Sequence, residues 1–326
     1  MKGGGLILLN ARRRLPMARL LAKCAPAFGI TDITCCDTDY SDALRFTCDS
    51  FFIQRPLANS DNVEEFSTKL RSLGIKFIVA WLDSDIRLLS ENRELLSQYG
   101  ITAFVPPFEY TDIFTDKQKT AEWAASKSID IPRTIDLHRP TFPLVAKLRR
   151  GQGGFHVRTL GSIAELQAAR GLNQEEYIFQ ELIDGEEYTV DVVLNGSRGI
   201  HCIIPRRRIK VRGSEVVVAE TADDSSIVQW VHRLMDGVAF CGIINIQLFA
   251  TRRGLILIEI NPRFGGGSEL SIAAGADLPS YLLSILTEGY IKTEPPKLRN
   301  GLVMTRYLEA AFFQKEDPLT PVGVSF

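Results

Sequence analysis

Glu259, Asn261 and Arg263 stand two residues apart in the segment EINPRFGGGS, a spacing that suits a magnesium-phosphate site. Side chains alternate along an extended strand, so Glu259 and Asn261 share a face, and Pro262 restricts Asn261 to extended geometry. Magnesium takes hard oxygen ligands in an octahedron and usually draws only one or two carboxylates from protein, leaving phosphates and water to complete the shell. One Glu and one Asn meet that demand. Arg263 adds a fixed cation that can fork onto phosphate or carboxylate oxygens. The three glycines at 265–267 allow close backbone approach to a ligand before a helix that starts at Ser268.

The elements that hold this cluster follow from the apolar pattern around it. Residues 243–250 read as a buried strand carrying Gln247, residues 251–254 as a turn, and residues 255–260 as the returning strand. Upstream, residues 142–147 form a buried strand ending in Lys147. The run RRGQGG that follows, with Gly153 and Gly154, could wrap phosphates with its backbone N–H groups. Thr115, with Gln118 three residues on, reads as the capping box of a helix, which puts Lys117 in the first turn. A lysine there opposes the helix dipole, so a bound polyphosphate would give it a reason. Residues 177–183 and 187–191 read as two more strands, with Glu187 at the start of the second. In residues 200–211, Arg206, Arg208 and Lys210 should share one strand face, a row of cations suited to an anion.

Composition narrows the classes. A chain of 326 residues that is 45% hydrophobic can bury a full core and suggests two or three compact units. A net charge of −1 gives no global field for nucleic acid or an anionic membrane, so neither is an expected partner. The six cysteines show no C-x-x-C spacing and are expected to pack as free thiols in a reducing, cytoplasmic setting. The apolar run after residue 5 is too short for a signal-peptide core, and no run reaches membrane-spanning length, so neither export nor insertion is expected.

The first 110 residues alternate short apolar strands with helical patterns near 16–28, 63–73 and 86–99, the signature of a doubly wound parallel sheet. The first turn reads NARRR rather than G-x-G-x-x-G, so a dinucleotide site lacks its close-approach glycines and a nicotinamide dehydrogenase is rejected. The crevice at the carboxyl ends of the strands still makes Arg12, Arg13 and Asp83 candidate substrate contacts.

Taken in order over residues 112–290, these motifs resemble the ATP-grasp superfamily, and more narrowly the branch around the carbamoyl phosphate synthetase large subunit. The resemblance implies an α/β chain: a Rossmann-like domain at 1–110, an ATP-grasp N-terminal subdomain with a glycine-rich lid at 111–183, and a C-terminal subdomain with the metal site at 184–326. It implies ATP and magnesium, with manganese as a substitute. Lys117, Lys147, Gly153 and Gly154 would meet the phosphates. Gln180, Glu181, Leu182 and Ile183 would form the hinge that binds adenine, and Glu187 would hold the ribose. Glu259, Asn261 and Gln247 would hold metal, Arg263 and Lys147 would act in catalysis, and Arg206, Arg208 and Arg12 would meet an anionic substrate. The implied reaction phosphorylates a carboxylate or bicarbonate so that an amine can displace phosphate, with small-molecule carboxylate and amine substrates as partners; the pattern admits a homodimer. An ATP-grasp phosphotransferase and a noncatalytic ATP-binding sensor are the alternatives.

Overall fold

All six residues of the first strand, β1 (Gly4–Leu9), are buried, as both faces of a parallel sheet are covered by helices. The computed structural model describes residues 3–38, 44, 47–151, 156–169, 176–213 and 215–307. After β1 come a 3-10 turn (Arg12–Arg14), helix α1 (Leu15–Cys24), β2 (Ile30–Asp37), β3 (Ser50–Ile53), α2 (Ser60–Ser72), β4 (Ile75–Ala80), α3 (Asp83–Glu91), α4 (Arg93–Gln98) and β5 (Thr102–Ala103). The strands lie in the order β3-β2-β1-β4-β5, all parallel. The winding reverses beside β1, and the crevice expected of such a reversal opens at its carboxyl end, where Arg12 and Asp83 begin the following elements.

Two expectations for this domain need correction. The single helix expected over 86–99 is two, because Asn92 turns its Nδ2 back onto the Leu88 carbonyl at 2.9 Å and interrupts the helix there. The cysteines are not all free thiols: Cys35 and Cys48 form a disulfide, while Cys24, Cys36, Cys202 and Cys241 are free. Spacing hides this pair. Cys35 lies on β2 and Cys48 just before β3, and the parallel pairing of the two strands brings them together.

Helices α5 (Phe108–Phe114) and α6 (Lys117–Ser126) lead into a three-stranded sheet ordered β7-β6-β8. It comprises β6 (Leu144–Leu148), β7 (Arg158–Leu160) and β8 (Tyr177–Glu181), with α7 (Ile163–Ala168) between the last two and a small core of Leu144, Ala146, Leu160 and Phe179. The cap of α6 is Asp116, not Thr115. Thr115 Oγ1 instead donates to the Thr111 carbonyl at 2.7 Å and finishes α5, leaving Asp116 with the extended backbone a cap requires. Lys117 does open the helix.

The larger sheet has six antiparallel strands in the order β13-β12-β9-β10-β11-β14. They are β9 (Glu186–Asn195), β10 (Ile200–Arg212), β11 (Glu215–Thr221), β12 (Cys241–Thr251), β13 (Gly254–Asn261) and β14 (Val303–Thr305); α8 (Ser225–Leu234) precedes β12, and α9 (Ser268–Ala273) and α10 (Leu278–Glu288) follow β13. Period two sorts the faces. Tyr188, Val190, Val192 and Leu194 of β9 pack with Trp230 and Leu234 of α8 and with Phe114 and Ala124, so α5 and α6 lie on this sheet although they precede the small one. On the opposite face, Val193 and Ile243 join Leu21 of α1 and Leu282 of α10 in one core, which fuses the first domain to the large sheet. The strand expected over 302–308 is the short edge strand β14; Leu308 and the tail expected to be loose lie outside the described residues.

Candidate active site

Period two also places the polar residues. Glu187, Thr189 and Asp191 alternate with the apolar face of β9, and the register sets Gln247 opposite Thr189 and Asn245 opposite Asp191 on β12. Next door on β13, Glu259 pairs with Gln247 and Asn261 with Asn245. Because Leu248 pairs with Leu257, Ile258 is the extra residue of a bulge, a distortion that re-aims the side chains after it. Strands β12 and β13 thus present a carboxylate and three amides in neighbouring positions.

Glu187, Asn245, Gln247, Glu259 and Asn261 line one cavity of about 620 Å³ between the two sheets and the first domain. Its wall includes Lys117, Lys147, Gln180, Glu181, Leu182, Ile183, Glu187, Arg208, Gln247, Glu259, Asn261 and Arg263. Twelve candidates from five separate stretches of sequence therefore converge, including every described residue expected to meet ATP or metal. Gly153 and Gly154 lie outside the described residues; Gly151, at the root of the same run, does line the cavity.

At the metal end, Asn261 Nδ2 donates to Glu259 Oε1 at 3.0 Å, and Arg263 Nη2 donates to Asn261 Oδ1 at 3.0 Å. Burial pushes the Glu259 carboxyl up, but Lys117, the Asn261 hydrogen bond, Lys147 and Arg263 together outweigh it and hold the group below the ordinary range. An ionised carboxylate beside an amide oxygen fits a hard divalent cation. Among the described residues no group of three or more His, Cys, Asp or Glu is placed to hold a metal, so phosphate oxygens and water would have to complete the shell. Lys147 is buried, and burial, reinforced by repulsion from Lys117 and opposed by Glu259, pushes its ammonium down to about 8. Lys117 Nζ donates to the Gly151 carbonyl at 2.7 Å.

At the opposite end, Arg133 and Arg253 clamp the Glu181 carboxylate at 2.8 and 2.7 Å. Burial pushes this carboxyl up, yet the hydrogen bonds from Arg253 and Arg133 win and bring it down to about 2. Next to the clamp, Leu182 and Ile183 line the cavity with apolar surface.

The cationic row expected on β10 does not exist as read. Register shifts after Arg208 break the alternation, so Lys210 lies exposed beyond the bulge. Arg208 lines the cavity, but its Nη1 donates to Glu187 Oε1 at 2.5 Å and approaches Gln247 Oε1 at 3.5 Å. Arg206 is wholly buried behind the cavity wall, paired with Asp191 at 2.9 Å. Asn245 and Ser271 donate to the same Asp191, each at 2.7 Å. An interior carboxylate needs such a counter-charge, so Arg206 serves the fold here instead of meeting substrate.

Arg12 is corrected likewise. It turns to Asp37 at 3.7 Å and does not line the cavity, whereas Arg14 does. A 3-10 turn rotates about 120° per residue, so only one of three successive arginines can face the cleft, and composition cannot say which. The side chain of Arg13 lies outside the described part. Asp83 does not line the cavity either, but it accepts from Arg263 Nε at 2.7 Å and so ties the first domain to the end of β13. Sequence reasoning missed Arg14, Asn245 and Glu215. Arg14 Nη1 meets Glu215 Oε1 at 3.3 Å across the domain boundary, a contact without any local signal.

The small sheet, the six-stranded sheet and the cleft between them, preceded by a doubly wound domain, define the ATP-grasp fold behind a Rossmann-like domain. Residues 173–310 match the family described as ATP-grasp in the biosynthetic pathway with Ter operon. The chain is similar in structure to N5-carboxyaminoimidazole synthetase from Staphylococcus aureus in complex with ADP, at 15% identity and TM-score 0.73, over 94% of this chain and 83% of that one. It is also similar to the biotin carboxylase domain of Hydrogenobacter thermophilus 2-oxoglutarate carboxylase in complex with MgADP and bicarbonate, at 15% identity and TM-score 0.70, over 93% and 74%. A third is L-amino acid ligase from Bacillus licheniformis, at 16% identity and TM-score 0.70, over 88% and 75%. No curated protein matches by sequence. The expected resemblance to the ATP-grasp superfamily therefore holds. No helix among the described residues is long and apolar enough to cross a membrane.

Proposed function

We propose that the chain is an ATP-dependent ligase that activates a carboxylate, or bicarbonate, as an acyl phosphate and lets an amine displace the phosphate, with release of ADP. The observation that carries this reading is the convergence of Lys117, Lys147, Glu259, Asn261 and Arg263 at one end of a cavity whose other end is the Glu181 to Ile183 rim. Complexes of structurally similar proteins with ADP and MgADP support the choice of nucleotide and metal.

In this reading Glu259 and Asn261, with Gln247 beside them, hold magnesium, which neutralises charge building on the transferred phosphoryl group. Lys147 and Lys117 orient the phosphates, the rim takes the adenine, and Glu187 faces the ribose once it shares its oxygens with Arg208. Arg263, fixed by Asp83, Asn261 and the Phe264 carbonyl, would meet the acceptor carboxylate with its remaining donors. Arg14 and Arg208 make the same cavity hospitable to an anion. Positioning and charge neutralisation carry such a transfer, and no covalent nucleophile is needed. The domain limits 1–110, 111–183 and 184–326 are proposed with it. Use of ATP suits a cytoplasmic setting.

The test is magnesium-dependent ADP formation across pairs of carboxylates and amines. Glu259→Gln should abolish turnover while the melting temperature survives. Arg263→Ala should reduce turnover sharply and leave ATP affinity within about tenfold, since its contacts are to acceptor and transition state. ADP formation that needs a hydroxyl acceptor and ignores amines would instead mark a phosphotransferase, and ATP binding without turnover a sensor.

A further inference from the structure

The arginine pair at the root of the glycine run is unexplained by phosphate binding, because both side chains are already committed. Arg149 Nε donates to both carboxylate oxygens of Asp116, at 2.7 and 2.8 Å, and Arg150 Nε donates to Asp116 Oδ2 at 3.1 Å. Asp116 is fully buried and at the same time caps α6, its Oδ1 accepting from the backbone of Gln118 and Lys119 at 3.1 and 3.3 Å. The backbone joins in: Lys117 N donates to the Arg149 carbonyl at 3.0 Å. One carboxylate thus ties the first turn of α6 to the end of β6.

Those two elements belong to different packing units. α6 lies on the large sheet through Ala124, while β6 belongs to the separate core of the small sheet through Leu144 and Ala146. Yet each delivers one ammonium to the same cavity, Lys117 from the first turn of α6 and Lys147 from β6. Two like charges facing one cavity push apart, and the chain between residues 117 and 147 does not by itself set their separation. The links between the two segments are the Asp116–Arg149 pair, the Lys117 N–Arg149 carbonyl bond and the Lys117 Nζ–Gly151 carbonyl bond, and only the first is a charge pair.

We infer that Asp116 is a positioning residue that, through Arg149, holds Lys117 and Lys147 at the separation a nucleotide polyphosphate requires. The inference rests on the proposed nucleotide site and adds to it a residue that never touches nucleotide. Asp112 backs the arrangement by pairing with Arg150 at 3.6 Å and with Lys119.

The experiment measures binding of a nonhydrolysable ATP analogue with magnesium by calorimetry on the full chain, alongside thermal melting without nucleotide. Asp116→Asn keeps an oxygen for the cap, where Asn and Asp serve about equally, but removes the charge that holds Arg149. The expected result is affinity lower by about fivefold or more, the scale of a partly exposed charge pair, with little change in melting. Arg149→Gln should give a similar loss, and the double variant should be no weaker than either single one, because both act through one contact. Unchanged affinity in Asp116→Asn overturns the inference, as do losses that add in the double variant. If Asp116→Asn folds poorly, Arg149→Gln in a Lys117→Met background decides: the loss should vanish there, whereas a loss that persists makes Arg149 a direct phosphate ligand and overturns the positioning role. Wild-type chain that binds no analogue would instead overturn the nucleotide site itself.

Discussion

Burial, reinforced by Lys117, brings the Lys147 ammonium down to about 8. A bound polyphosphate favours the charged lysine, so its value in the complex must lie above that in the free protein. The sign follows: well below pH 8 the lysine is charged in both states and affinity is flat, while as pH rises through about 8 binding must take up a proton and affinity falls. Calorimetry at pH 8.5 in two buffers of different ionisation enthalpy should show that uptake, and Lys147→Arg should remove it. Equal heats in both buffers would mean that Lys147 does not face phosphate. At this scale the sequence was legible where the chemistry is local. Glu259 and Asn261 share a face by period two alone, and Lys117 opens its helix as expected. Arg206 and Arg208 carried the same local signal and part company, one into the interior against Asp191 and one to the cavity wall against Glu187.

The loop after β13 shows how an element is shaped by what it covers. Its glycines suggest room for a ligand, but an added Cβ on Gly265 would sit 2.5 Å from Asn245 Nδ2, and one on Gly267 would sit 2.6 Å from Arg206 Nη1 and 2.8 Å from Val216 Cγ1. The loop lies directly on the buried Arg206–Asp191 pair. Gly267→Ala should therefore destabilise the chain by about 1–3 kcal/mol, the range for overpacking, read as a lower urea midpoint. Gly266→Ala makes the contrast: its Cβ would crowd Glu215 Oε2 at 2.8 Å, the end of a flexible side chain that can move, and touch Arg14 at an ordinary 3.7 Å, so the cost should be smaller. Equal midpoints for the two variants would contradict this packing account. Strands and helices were readable from apolar period and turn residues, whereas the caps and breaks moved by a residue or more because Asp116 and Asn92 compete with their neighbours for backbone groups.

For the whole molecule, Phe264 is the joint. It is buried between Trp81 and Phe104 of the first domain, with ring centroids 6.4 Å from each, and it adjoins Arg263, whose Nη1 donates to its carbonyl at 3.1 Å. Phe264→Ala should cost about 3–5 kcal/mol, the usual penalty for removing a buried aromatic ring. It should also lower turnover more than ATP affinity, because it loosens the loop that carries Arg263 and leaves the adenine rim alone. Trp81 lies in the same stack, so its fluorescence should change with the same variant. Full turnover in a chain so destabilised would show that the domain joint does not set the position of Arg263.

The amino-acid order alone determined the doubly wound start, the paired strands around the metal end and the residue types that meet at the cavity, because those depend on period, turn chemistry and spacing within short stretches. Only the tertiary structure decided that Arg14 and not Arg12 reaches the cleft, that Arg206 is spent on Asp191, that Cys35 meets Cys48, and that Asp83 anchors Arg263 from 180 residues away. The physical reason is common to all four. A charge or thiol is assigned its partner by which elements pack together, and strand period carries no information about packing between sheets and domains.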